Sequence, residues 1–203
     1  MLLDAASSLL GGALPTIIPI DMPVATVAIT GRRTADRLVS QAFGSRGCGT
    51  HSPSALRPGL LGSQLLDALN LFGYDLVTAA SQPASPTSQL IEVFQHPALL
   101  HLLERNYRVP YKVSKVRRYW PDASPSERTA RLLSEWDQIE NELRQRIDGI
   151  GGKLPRSNES TVALKRHEDA LDALLAAWIA IEFLEHNARP FGDETAAIWI
   201  PPA

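Results

Sequence analysis

Cysteine is almost missing: Cys48 is the single one among 203 residues. It can form neither an internal disulfide nor a thiolate metal cage, which removes disulfide scaffolds and favours a cytoplasmic setting. A surplus of charge is missing as well, with 20 Lys and Arg against 22 Asp and Glu and a formal net charge of −2. Nucleic-acid binding by bulk electrostatics is thereby excluded, and any such role has to rest on a local patch. Long apolar runs are also lacking. The uncharged stretches 5–20 and 76–91 contain Pro, Ser or Gly and fall short of the roughly 20 apolar residues of a spanning helix. The first basic residue is Arg32, so the positive leading region of a secretory signal is absent and no membrane association is expected.

What remains is the composition of a soluble globular chain, 44% hydrophobic and 21% charged, read as one domain over residues 1–203. Leu2 to Leu10 has helical spacing, ended by Gly11-Gly12. Thr16 to Ile20 is a compact β-branched run ending at Asp21, with Pro19 an awkward member of any central strand. Thr30 to Phe43 reads as an amphipathic helix, Ser45 to Gly62 as an irregular loop, and Gln64 to Phe72 as helical. After a Pro/Ser loop at 81–88, Leu90 to Phe94 is a strand and Pro97 opens a helix through Glu104. Asn106 to Trp120 reads as a loop or strand, Ser124 to Ile147 as a helix, and 149–160 as a linker. The last helix is expected from Ala163 to Ala188, stopped by Pro190, with a closing strand Ala197 to Ile200. Strands alternating with helices argue for an α/β layer fold.

Ala170 to Ile181 is apolar all round except for Asp172, the pattern of a helix buried on every side. A lone carboxylate there needs a partner or a metal. Asp169, three residues earlier, can share a cation with it; a capping arrangement of the two is the alternative. Asp21 stands at a strand's carboxyl end, where open α/β sheets bind ligands, or merely opens a turn. Glu92 is a weaker candidate, either a supporting group of the site or, in an alternating strand, a solvent-facing residue. His96 and His167 lack metal-ligand spacing to each other and read as supporting groups rather than ligands. Arg105 to Arg118 holds six basic residues, no acidic one and two interleaved tyrosines, which suits a phosphate backbone or a plain solvated surface.

Four segments together carry a resemblance: IDMPVA (20–25), GRRTADR (31–37), IEVFQHPALL (91–100) with YKVSKVRRYWP (111–121), and HEDALDALLAAW (167–178). In this order they resemble the domain of unknown function 429 family, described as predicted nucleases of ribonuclease H-like fold. The resemblance implies a mixed sheet flanked by helices. It also implies a carboxylate cluster of Asp21, Asp169 and Asp172 holding Mg²⁺ or Mn²⁺ for two-metal phosphodiester hydrolysis. Lys112, Lys115 or Arg118 would bind substrate phosphate. Arg32, eleven residues after Asp21, would reach the carboxylate cluster. Arg37 would orient substrate, whereas Arg33 reads as one half of a surface pair with Asp36. Members of that family begin with a three-stranded meander carrying another aspartate, and here Met1 leads directly into the helix before Asp21. That leaves a bare strand edge and an expectation of self-association. Two functional readings follow: a metal-dependent nuclease, or a catalytically impaired scaffold that binds nucleic acid or protein through residues 105–118.

Overall fold

A computed structural model describes residues 2–81, 88–151, 154–155 and 158–202. Its centre is β3 (Gln89–Val93), the strand with the most deeply buried run. One side of β3 pairs in parallel with β1 (Ile17–Ile20) from Gln89 to Glu92. Two short parallel strands share the other side, β2 (Asp75–Leu76) opposite Gln89 and Leu90 and β5 (Ala197–Ile200) opposite Glu92 and Val93. β4 (Arg189–Gly192) closes the sheet antiparallel to β5. Among the described residues this is a mixed α/β sheet of five strands with seven α-helices around it, consistent with a ribonuclease H-like arrangement. No helix is long and apolar enough to cross a membrane.

Strand alternation assigns the two faces. Ile91 and Val93 of β3 belong to the main core, with Trp136, Ile139 and Leu143 of α6 (Pro125–Arg144) and Leu171, Leu175 and Ile179 of α7 (Thr161–Leu184). On the opposite face, Ile198 and Ile200 of β5 meet Ala35, Val39 and Phe43 of α2 (Thr34–Phe43), while Leu90 meets Ile20 and the Leu66 side chain of α3 (Leu61–Asn70). The carboxyl ends of β1 and β3 therefore open into a space bordered by α2, α7 and the start of α4 (Gln95–Leu102). α1 (Leu2–Leu9) precedes β1. α3 comes close to the chain after β1 because Gly62 has no side chain: a Cβ there would meet the Pro23 carbonyl oxygen.

The structure corrects several expectations. Both faces of the sheet are covered by helices, so Glu92 is buried, 4% exposed, rather than solvent-facing. α7 is not apolar-buried all round, since Ala170, Ala173 and Ala177 are exposed; alanine is small enough to lie on a wet face at little cost. α2 begins only at Thr34, because Arg33 has extended backbone and serves as its N-cap. Of the loop or strand expected over Asn106 to Trp120, the loop holds through Lys112, and a 3₁₀ turn (Val113–Lys115) and α5 (Val116–Tyr119) follow. Pro190 does not stop the last helix. α7 ends at Leu184, the chain turns through His186 at φ +61°, and Pro190 sits in edge strand β4, where a missing amide proton is tolerated. β2 is too short, and β4 too proline-marked, to stand out in the sequence. Most of the 81–88 loop and part of the 149–160 linker lie outside the described residues.

Candidate functional site

Asp21 follows directly on Ile20 at the carboxyl end of β1, with its side chain open to solvent. Crowding by the surrounding protein raises its carboxyl above the ordinary value. The negative charge of Asp172 adds to that rise, and a hydrogen bond with Gln95 and the charge of Lys112 oppose it. Asp172 reaches this point from the middle of α7. The helix is capped far upstream by Ser160, whose hydroxyl accepts the Ala163 amide at 3.2 Å, so neither Asp169 nor Asp172 is a capping residue.

The segment after α4 supplies the partners. Tyr111 is fully buried, anchored where Trp136 Nε1 donates to its carbonyl at 2.8 Å, and its hydroxyl donates to Asp172 Oδ1 at 2.9 Å. Burial raises the phenol's pKa well above the usual range, and Asp172, Asp21 and Glu168 raise it further, so it stays a neutral donor. Lys112 lays its ammonium across both Asp172 oxygens at 2.8 and 2.5 Å and lies 3.6 Å from Glu168 Oε1. Glu168 also accepts the Val113 amide at 2.6 Å and Lys165 at 2.7 Å.

Among the described residues, Glu168, Asp169 and Asp172 can bring one carboxylate oxygen each within 4.8 Å of one another. Hard oxygen donors of this kind suit Mg²⁺ or Mn²⁺. Asp169 is 61% exposed in its side chain and paired with Lys165 at 2.8 Å. The sequence reading missed Glu168, although four residues on a helix bring it rotationally closer to Asp172 than the three that separate Asp169. It also missed Gln95 and the anchoring role of Tyr111.

A second network braces the chain after β1. Arg33 lays its guanidinium along the Glu92 carboxylate at 2.5 and 2.7 Å, and its Nη2 donates to Asp36 at 3.0 Å. Val24 is held at both backbone groups: its amide donates to Glu92 at 3.0 Å and its carbonyl accepts Arg33 at 2.7 Å. Burial pushes the Glu92 carboxyl up to about 7, against the pull of Arg33. The surface pair expected of Arg33 and Asp36 is therefore a buried triad. Asp21, Asp36, Thr50, His51, Glu92 and Phe94 border a cleft of about 150 Å³ between the two networks.

The remaining candidates lie as follows. Arg32 reaches the Asp36 carbonyl at 3.4 Å, and Arg37 points along the exposed side of α2 to Gln41. Lys115 and Arg118 are exposed. His96 is buried against Arg108, and His167 binds Glu140 of α6 at 2.7 Å while lying against Trp136. Cys48 is buried, and burial lifts its thiol to about 11, which leaves it unreactive.

No curated protein and no solved structure matches the chain. One family model does, over residues 3–197, and its description is "protein of unknown function". That match takes in β1, β3, α7 and every candidate residue named above, and by it the chain belongs to the DUF429 family.

Proposed function

We propose that the chain is a divalent-metal-dependent phosphodiesterase, a nuclease in the broad sense, centred on Asp21, Glu168 and Asp172 with Asp169 at the rim. The observation that carries this reading is the cluster of Glu168, Asp169 and Asp172, whose carboxylate oxygens lie within 4.8 Å of one another, with Asp21 at the carboxyl end of β1 near enough to feel the charge of Asp172. A bound Mg²⁺ or Mn²⁺ would supply charge for the phosphoryl oxygens and a more acidic water. Tyr111 orients Asp172 through its hydroxyl. Lys112, which pairs with both oxygens of Asp172, would be free to meet a substrate phosphate oxygen were a cation held by that carboxylate. Lys115 and Arg118, exposed on the adjoining turn and α5, extend that basic path along a backbone.

A second reading has its own observation. The cluster is already satisfied by Lys112, Lys165 and the Val113 amide, as a non-catalytic scaffold would require. Calorimetric Mn²⁺ titration separates the two. Wild type is expected to bind with a dissociation constant below about 1 mM, equivalent to roughly 4 kcal/mol. Asp172→Asn should lose at least ten-fold, and Lys112→Ala, which removes the competing cation, should gain several-fold. Unchanged affinity in Asp172→Asn, or no chelator-sensitive cleavage of single-stranded DNA or RNA, would reject the hydrolytic reading.

A further inference from the structure

Beside the acidic centre, with the His96 ring against Tyr111, lies a cluster of side chains of the opposite character. His96, the second residue of α4, is 7% exposed, and its Nδ1 has no hydrogen-bond partner. Its Nε2 lies 2.5 Å from Arg108 Nη2. A guanidinium can only donate, so Nε2 accepts and the ring proton sits on the orphaned Nδ1. Arg108 Nε is buried and unpartnered as well, and among the described residues no carboxylate pairs with this arginine; its other bond is to the Gly47 carbonyl at 3.3 Å. The Tyr119 hydroxyl oxygen is approached by the same guanidinium and by the Lys112 backbone, but makes no hydrogen bond of ordinary geometry, and its own proton has no acceptor. Three donors left without acceptors in one corner of the molecule call for a common acceptor.

The charges around these groups agree. Burial lowers the His96 pKa, and Arg108, Lys112 and His51 lower it further, with no acidic group opposing them. His96 itself stands in the first turn of α4, an eight-residue helix with no side-chain cap, where the helix dipole is positive. Neutral imidazole N–H, guanidinium and phenol form a donor set with excess positive charge, which is what an oxyanion requires. His51 joins this corner to the cleft at Asp21.

We infer that His96, Arg108 and Tyr119 form a binding site for a phosphate group, the one adjoining the phosphodiester that the acidic centre would cleave. This deepens the proposed hydrolytic reading and rests on it for its place in the reaction, while binding itself needs no metal. The test is calorimetric titration of inorganic phosphate into the full chain with chelator present, at ionic strength held constant with chloride. Saturable binding is expected, weakened at least ten-fold in Arg108→Gln and several-fold in Tyr119→Phe, and unchanged in the exposed-site control Arg131→Gln. Should Arg108→Gln fail to fold, Tyr119→Phe decides alone, since it keeps the ring and removes only the orphaned hydroxyl. Phosphate no tighter than chloride, or equal loss in the variants and the control, would overturn the site and leave buried water as the partner of these donors. Phosphate binding that survives alongside absent Mn²⁺ binding would reject the hydrolytic reading and keep this site; the converse would do the opposite.

Discussion

His96 makes the protein sensitive to acid. In the native chain burial and neighbouring cations hold its pKa at about 2, against 6.5 for the free side chain. Between those values the unfolded chain binds a proton that the native chain refuses, so stability is full above pH 6.5 and falls as the pH drops below it. At pH 5 the loss is about 2 kcal/mol. Denaturant melts at pH 7 and pH 5 should show this difference in wild type and lose most of it in His96→Gln; an identical difference in the variant would place the titration elsewhere. Asp172 is held by a different kind of contact: Lys112 reaches both its oxygens and the Tyr111 hydroxyl donates to one of them. That residue was legible in the sequence, because a single carboxylate in an apolar helix needs a partner. Its partners were not, since Tyr111 and Lys112 lie 61 and 60 residues away.

At the scale of elements, the decisive joint is the one between β1, α2 and β3. Arg33 is the N-cap of α2, grips Glu92 at the end of β3, and holds the Val24 carbonyl four residues after β1. Removing it leaves Glu92 and Asp36 buried without their cation, a loss of about 3–5 kcal/mol. Arg33→Met is expected to lower the unfolding free energy by that amount, and Arg33→Lys by less, because an ammonium cannot span both carboxylates. A loss under about 1 kcal/mol in Arg33→Met would mean that the triad is not closed in solution. The motif around Arg33 was visible in the sequence, yet helical spacing alone suggested only the local pair with Asp36. The contact that buries it comes from Glu92, 59 residues on, and local periodicity carries no information about such a partner. Strands β1, β3 and β5 were legible for the opposite reason: their β-branched and apolar runs are local. β4 was obscured by the very proline that suits an edge.

At the scale of the whole molecule, β1 is the outer strand beside β3. The Gln89 amide donates to the Thr16 carbonyl, and in a parallel ladder the alternate residues Ile18 and Ile20 also turn their backbone groups toward β3. Ile17 and Pro19 turn theirs outward, and Pro19 has no amide proton to offer. The edge is blunted rather than bare, which tempers the self-pairing expected from sequence. Pro19→Val restores that donor. It should raise the weight-average mass in sedimentation at high concentration, whereas an unchanged mass would show that another element shields the edge. The DUF429 match over residues 3–197 embraces this edge and both networks. Gly62 bears on the site from a distance in the chain. It bears no functional group and sits on α3, yet any side chain there runs into the Pro23 carbonyl, two residues past Asp21. In a library of variants selected for activity, position 62 would thus tolerate as little as an acidic ligand, and a reader of those counts alone would mistake an empty space for chemistry.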